Sequence, residues 1–256
     1  MAPIFSAVVS LVTILSIPQA VAQCPNQAEP ANGAPVLAEG YEAKLLVGGL
    51  KTPRGIIFDS EGNLLVVETA AAGIRRIELE DKGGMDVCVS NSTQIATNPG
   101  LNHGIAFSED GKTLFTSNST DVVSYSYDPA TGATSNRKHL LTGMLQEGYH
   151  QTRTLVVPKA APNLLLVSRG SNANRDMETR EKPSGRSQIR YWDIDDFTGE
   201  PLDYSSTGTI LGWGLRNSVG VSEDPSTGGI VGAPMGKRFH LPFKPREVSF
   251  NVKILT

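Results

Sequence analysis

"PRGIIFDSEGNLLVVETAAAGIRRIEL", from Pro53 to Leu79, contains the pattern that decides the fold. A short apolar run follows a glycine, a Glu-Gly turn signal comes next, and two further apolar or alternating runs are separated by small residues. Runs of this length with tight-turn signals between them are typical of antiparallel strands joined by hairpins. The stretch therefore predicts one unit of three short β-strands.

The same pattern returns later in the chain. "NHGIAFSEDGKTLFTSNSTDVVSYSYD" spans Asn102–Asp128, a third unit begins at His150, and the beginning of a fourth spans Arg216–Ile230. Units of about 40–50 residues with three or four strands each are typical of β-propeller blades. A β-sandwich also has many short strands, but it lacks this internal self-similarity. We therefore predict an all-β fold, a β-propeller with about three blades and part of a fourth.

The repeat also predicts a site. The innermost strand of each propeller blade begins at one mouth of the central channel, and the four units place charged or imidazole side chains there: Arg54, His103, His150 and the pair Arg216–Asn217. Guanidinium groups bind carboxylates bidentately, so this mouth suits an anionic, planar ligand. A histidine in a strand-opening turn and a surface Arg-Asn pair remain the structural alternatives.

Three segments resemble a known family. They are "HQTRTL" at 150–155, "SRGSN" at 168–172 and "GLRNSVG" at 214–220. They are similar to motifs of the soluble quinoprotein glucose/sorbosone dehydrogenase family, and in particular to secreted fungal pyranose dehydrogenases that use pyrroloquinoline quinone (PQQ). The similarity covers about Tyr41 to Gly229.

The resemblance implies a six-bladed propeller with PQQ in the channel mouth. It implies that His150 is the general base that takes the proton of a sugar hydroxyl while hydride goes to the quinone. Arg216 and Asn217 would hold the quinone oxygens, and Arg54 and His103 fall at the cofactor by register. The substrate would be a pyranose, aldose or sorbosone-type sugar, and an external electron acceptor would complete the cycle. Calcium is expected in the complete family fold, but this sequence does not identify its ligands.

Two non-redox propellers are the alternative functions. A gluconolactonase-like calcium hydrolase needs a ring of Glu, Asp and Asn at the channel to hold a divalent ion. The Arg and His positions at the predicted mouth would repel a cation, so they favour the quinone. A secreted binding scaffold of the NHL type would not need an imidazole beside an Arg-Asn pair.

The first 22 residues have the features of a signal peptide. The run Ile4–Ile17 is mostly apolar and too short to span a membrane, and Ala20-Val21-Ala22 matches a signal-peptidase site. We therefore expect a secreted, extracellular protein that begins at Gln23, with a buried apolar helix as the alternative. The net charge of −3 and the lack of a basic stripe argue against nucleic acid as a partner.

Secretion would expose the two cysteines to an oxidising compartment. An oxidising compartment favours a Cys24–Cys88 disulfide, which would tie the N-terminus to the first repeat, although two free thiols remain possible. The triplets that begin at Asn91 and Asn118 are N-glycosylation sequons, so we expect glycans at both positions.

The remaining segments fit the repeat less well. We assign residues 23–230 to a partial propeller and residues 231–256 to an atypical tail, because the tail has three prolines and no acidic-Gly turn. We expect irregular packing after Gly229, a truncated form of the family fold, and weak or absent PQQ binding by this chain alone.

Three further expectations concern charged side chains and the long loop. The pair Arg75–Arg76 is expected on a solvent-facing strand, residues 172–186 in a solvated loop, and Arg153 in a pair with an acidic turn.

Overall fold

The structure, a computed structural model, describes part of the chain: residues 24, 28–31, 33–71, 73–83, 86–98, 100–144, 148–234, 239–241 and 253–254. The predicted signal peptide, residues 1–22, lies outside the described residues, and so does much of the predicted tail. Those two assignments stay predictions.

The described residues form 17 strands in four sheets. The first sheet contains β1 (Pro53–Phe58), β2 (Leu64–Glu68), β3 (Gly73–Asp81) and β4 (Val87–Thr97). The second contains β5 (Ile105–Phe107), β6 (Thr113–Ser117), β7 (Val122–Tyr127), β8 (Thr134–Thr142) and β12 (Leu202–Asp203). The third contains β9 (Leu155–Val156), β10 (Leu164–Arg169), β11 (Gln188–Asp193) and β13 (Thr209–Trp213). The fourth contains β14 (Ser218–Glu223), β15 (Ile230–Pro234), β16 (Phe239–Leu241) and β17 (Lys253–Ile254).

Strand pairing is antiparallel throughout except for β12, which pairs in parallel with β8. Three 3-10 helices add to the third unit: Met177–Arg180, Lys182–Ser184 and Ile194–Asp196. No helix in the described ranges is both long enough and apolar enough to cross a membrane.

The hairpin between β1 and β2 shows why the repeat contains an acidic-Gly turn. Asp59 Oδ1 accepts hydrogen bonds from the backbone N–H groups of Glu61 and Asn63 at 3.0 and 2.8 Å. Gly62 has a φ of +80°, a conformation that glycine adopts without the steric cost that a Cβ imposes. The turn therefore fixes where β1 ends and β2 begins.

The four sheets are arranged like the blades of a propeller. Strands β1, β5, β9 and β14 each lie at one end of their own sheet, and β1 lies beside β5, β5 beside β9, and β9 beside β14. Consecutive sheets therefore meet through their innermost strands. This arrangement confirms the predicted all-β propeller class.

Apolar side chains fill the spaces between consecutive sheets. Leu65 and Val123 belong to the cluster between the first and second sheets, and Phe115 and Val167 belong to the next one. A third cluster, which includes Ile230, joins the third sheet to the fourth. The sheets are thus held face to face mainly by apolar burial.

Glycine allows the inner strands to approach each other closely. A Cβ atom at Gly55 would lie 2.0 Å from the carbonyl oxygen of His103, and one at Gly104 would lie 2.2 Å from that of Arg153. Contacts this short are impossible for a side chain, so any larger residue would push neighbouring blades apart. This is the physical reason for a glycine at the head of the first two repeats.

Two expectations for the outer parts of the sheets are wrong. Arg76 is only 5% exposed, and it donates to Asp59 Oδ2 at 3.4 Å and to the carbonyl of Pro129 at 3.0 Å, because the second sheet covers this strand. The described residues that directly follow Gly229 are not irregular, since β15 pairs with both β14 and β16. Pro234 is tolerated there because it ends β15 beside an irregularity in the pairing with β14.

The predicted disulfide is confirmed. Cys24 and Cys88 are bonded, with their Cα atoms 5.3 Å apart. The bridge joins the segment before the first sheet to β4. Closing a loop between residues 64 positions apart stabilises the fold by about 4 kcal/mol in the chain-entropy account.

Candidate functional site

His150 lies in the segment before β9 and is 8% exposed. Its Nδ1 atom is 2.9 Å from the carbonyl oxygen of Ser171 and 3.0 Å from Ser171 Oγ. A carbonyl oxygen can only accept, so Nδ1 carries a proton, and in the neutral ring the lone pair is then on Nε2. Nε2 has no hydrogen-bond partner among the described residues. The ring is therefore in the tautomer that a general base requires.

Arg216 has an unusual backbone conformation. Its φ is +49°, in the left-handed region that costs a residue with a Cβ about 1–2 kcal/mol. Its carbonyl oxygen accepts hydrogen bonds from the backbone N–H of Ser171 at 2.7 Å and from Ser187 Oγ at 3.3 Å. These bonds hold the strained residue in place, and such strain is typical of functional sites.

The guanidinium of Arg216 binds a neutral partner. Its Nη2 donates to Asn174 Oδ1 at 2.5 Å, and within the described ranges no carboxylate forms an ion pair with it. Its positive charge is therefore positioned without being neutralised, which leaves it available to an anionic ligand.

Gly170 brings His150 and the Arg216–Asn217 pair together. A Cβ atom at Gly170 would lie 2.8 Å from His150 Cβ, 2.7 Å from Asn217 Oδ1 and 3.2 Å from the carbonyl oxygen of Arg216. His150, Arg216 and Asn217 therefore surround one position on the chain, as the sequence predicted. Only a residue without a side chain can occupy that position.

Arg54 and His103 form a second pair at the inner strands. Arg54 is exposed, and His103 is half-buried with its Nδ1 atom buried and unpartnered among the described residues. Burial, and next the charge of Arg54, lower the pKa of His103 below its ordinary value, while the backbone of Val219 partly opposes this. The two residues therefore lie near each other, and His103 lies near β14, which follows Arg216–Asn217.

The register predicted for His150 is wrong. Ser117 N–H donates to the carbonyl of Gly104, and Ser168 N–H donates to that of Thr154, so Gly104 and Thr154 are equivalent. The equivalent of His103 in the third unit is therefore Arg153, and His150 lies three positions earlier, in the entering loop. Equal spacing along the sequence could not reveal this, because loop length varies between the repeats.

Arg153 is deeply buried and faces backbone oxygens. Its guanidinium donates to the carbonyls of His150 and Thr152, both at 2.9 Å, and to that of Met144 at 3.3 Å. Burial, and next the charge of Arg169, lower its pKa to about 10. Carbonyl contacts, which the sequence did not predict, therefore fix the loop that holds His150.

Sequence reasoning also missed the role of residues 172–186. Asp176 accepts from the backbone N–H of Asn172 at 2.7 Å and pairs with Arg186 at 2.9 Å, and Trp213 Nε1 donates to the carbonyl of Thr179 at 2.8 Å. The segment is therefore anchored rather than merely solvated, and it presents Asn174 to Arg216. The polar composition gave no signal of these contacts.

The other predicted sites stay predictions. Asn91 is exposed on β4, and Asn118 lies half-buried in a turn where its Oδ1 accepts from the N–H of Thr120 at 2.8 Å. No group of three or more His, Cys, Asp or Glu side chains that could hold a metal ion occurs within the described ranges. Calcium ligands are thus not identified.

Comparison with known proteins gives a consistent result. Residues 35–236 match the sequence family described as TrAA12-like. A pyrroloquinoline quinone-dependent sugar dehydrogenase of Hypocrea jecorina is 45% identical over 201 residues, which are 77% of this chain and 46% of that protein.

Two solved structures are similar over most of this chain. The calcium structure of the Trichoderma reesei carbohydrate-active enzyme of family AA12 has a TM-score of 0.75 and 42% identity, covering 82% of this chain and 52% of the other. The holo form of the pyranose dehydrogenase PQQ domain from Coprinopsis cinerea has a TM-score of 0.76 and 35% identity, covering 91% and 54%. The chain spans about half the length of each of these relatives.

Proposed function

The chain belongs to the TrAA12-like family. On this premise we propose that its fold and site residues are those of a PQQ-dependent sugar dehydrogenase. The reaction oxidises a sugar hydroxyl by hydride transfer to the quinone. The observation that carries the proposal is the packing around Gly170, which brings the Cβ atom of His150, the side-chain oxygen of Asn217 and the backbone carbonyl of Arg216 to one position. His150 binds the Ser171 carbonyl through Nδ1, and among the described residues the Arg216 guanidinium binds a neutral amide rather than a carboxylate.

The residues present fit an anionic quinone. Arg216 binds only a neutral amide among the described residues, Arg54 is exposed, and His103 has a buried Nδ1 atom without a partner in the same part of the chain. Arg216, Asn217, Arg54 and His103 are therefore the residues that would hold PQQ. When bound, PQQ supplies the hydride acceptor, which no side chain can provide.

His150 has the proton-transfer role in this proposal. Nε2 accepts the proton of the sugar hydroxyl, and the resulting imidazolium keeps its Nδ1–H bond to the Ser171 carbonyl. That bond becomes charge-assisted, so it stabilises the protonated ring more than the neutral one. Arg216 stabilises negative charge that develops beside it, and its fixed position avoids reorganisation during the reaction.

The setting of the reaction follows from the same proposal. We place the protein outside the cell, because a disulfide is stable in an oxidising compartment and the sequence begins with a candidate signal peptide. A small-molecule sugar is the substrate, and an external acceptor reoxidises the cofactor.

A PQQ titration followed by dye-linked oxidation of a panel of aldoses and pyranoses tests the function. Because the chain matches about half of its relatives, we would assay it alone and as a chimaera followed by the unmatched part of the Hypocrea jecorina enzyme. We expect the chimaera to bind PQQ saturably and to oxidise at least one sugar. A folded chimaera that does neither would overturn the proposal.

A further inference from the structure

Ser171 touches both members of the candidate site. Its carbonyl oxygen and its Oγ atom lie 2.9 and 3.0 Å from His150 Nδ1, and its backbone N–H donates to the carbonyl of Arg216 at 2.7 Å. It is 3% exposed, so water does not compete for these bonds. One residue therefore links the imidazole to the strained backbone of Arg216.

The hydroxyl of Ser171 can act on His150 only as an acceptor. Oγ donates its single proton to the carbonyl of Ala173 at 2.9 Å. A serine hydroxyl has one proton and two lone pairs, so what it offers to Nδ1 is a lone pair. Two acceptors of one residue, the carbonyl oxygen and Oγ, thus accept from the same Nδ1–H. A ring protonated only at Nε2 has no Nδ1–H and could form neither hydrogen bond.

We propose that Ser171 is a positioning residue that sets the tautomer of His150, so that Nε2 faces the substrate as a base. The catalytic consequence rests on the proposed function, but the tautomer itself does not. Ser171 acts here as a neutral residue: it favours the Nδ1–H form by geometry and stabilises the imidazolium through two dipoles rather than through a formal negative charge.

The tautomer can be measured in the chain as it stands. Long-range ¹H–¹⁵N correlation spectra of ¹⁵N-histidine-labelled protein distinguish protonated from unprotonated ring nitrogens. The chain has four histidines, and the His150 signals are those that disappear in His150→Gln. We expect Nδ1 to be protonated and Nε2 unprotonated in the neutral ring. A ring protonated mainly at Nε2 would overturn the proposal without any further variant.

Ser171→Ala removes one of the two acceptors. We expect the ratio of the Nε2–H to the Nδ1–H tautomer to rise roughly 2–10-fold, the effect of one neutral hydrogen bond. Ser187→Ala is the matched control, because Ser187 Oγ also bonds the carbonyl of Arg216 but does not touch His150. Ser171→Thr, which keeps a hydroxyl, should restore the ratio. An unchanged ratio in folded Ser171→Ala would contradict the proposal.

Activity measurements separate the proposed role of Ser171 in setting the tautomer from the proposed role of His150 as the base. In the PQQ-binding chimaera, Ser171→Ala should lower kcat roughly 2–10-fold, because the imidazolium that forms during the reaction loses one of its two acceptors, and it should leave the KM for sugar unchanged. A shifted tautomer with an unchanged kcat would refute His150 as the base while supporting the role of Ser171. An unchanged tautomer would refute that role whatever the activity.

Discussion

The two sides of the propeller mouth are built differently. On one side, hydrogen bonds through Ser171, Asn174 and the buried Arg153 fix His150 and Arg216. On the other side, Arg54 and His103 interact through charge, and His103 keeps a buried Nδ1 atom with no partner in the part of the chain that the structure describes. We call the first the fixed side and the second the open side. Under the proposed function, the hydrogen bonds of the fixed side preorganise His150 and Arg216, whereas the open side gains polar contacts only when a ligand binds.

The largest expected effect comes from removing His150, the proposed base on the fixed side. In the PQQ-binding chimaera, His150→Ala should lower turnover about 10²–10⁴-fold and leave PQQ affinity nearly unchanged, because a general base acts on proton transfer. Dye-linked kinetics and a PQQ titration measure the two quantities. His139→Ala, which changes a histidine on β8, is the control. If His103→Ala lowers turnover more than His150→Ala, the two sides have been assigned the wrong way round.

The next effect concerns charge at the two arginines. Arg216→Ala should weaken PQQ binding about 10–100-fold, since a charged hydrogen-bonding partner is lost from a partly buried position. Arg54→Ala should weaken it less, because Arg54 is exposed and solvent screens its charge. Titrations of both variants with PQQ measure the ratio. A larger loss for Arg54 would remove the distinction between a fixed side and an open side.

Disturbing the packing of the fixed side should give a smaller effect, which is a loss of unfolding free energy. Gly170→Ala places a methyl group against His150 and Asn217, and overpacking of this kind costs about 1–3 kcal/mol of unfolding free energy. Gly199→Ala is the control, because a Cβ atom at Gly199 would meet nothing within 4 Å and the φ of this residue is not positive. Denaturant unfolding monitored by fluorescence compares the two. Equal stabilities would show that Gly170 does not set the approach of the two residues.

The smallest effect is a pH dependence from the open side. The pKa of His103 is lower in the folded chain than its ordinary value of about 6.5, so the unfolded chain binds the proton more tightly. The free energy of unfolding should therefore fall as the pH drops below about 6.5. His103→Gln should flatten this part of the profile, and Arg54→Ala should reduce its slope. Unfolding midpoints measured between pH 5 and 8 would show a flat wild-type profile if the prediction is wrong.

Much of the fold could be predicted because it depends on local signals. The hairpin at Asp59–Asn63 needs an acidic side chain and a glycine at fixed positions, and both are visible in the sequence. The apolar runs that fill the spaces between sheets are visible as well. The burial of Arg76 was not, because Arg76 lies on the same face of β3 as Ile74, and this face meets the second sheet instead of solvent.

The residue types of the candidate site could be predicted from the sequence, but their register and hydrogen-bond partners could not. Motif and repeat pointed to His150 and to Arg216–Asn217, which the structure does bring together around Gly170. The same repeat misplaced His150 in the register, since the loop before β9 is longer than its counterparts. Ser171 and Asn174 looked like ordinary loop residues, because their partners are remote along the chain.

The sequence by itself determined the strand units, their turns and the side chains available to the site, because each depends on neighbours within a few residues. The tertiary structure alone decided which nitrogen of His150 carries the proton and which partner holds Arg216. Both depend on contacts between segments that are distant along the chain, and such contacts exist only after apolar burial has set the sheets face to face.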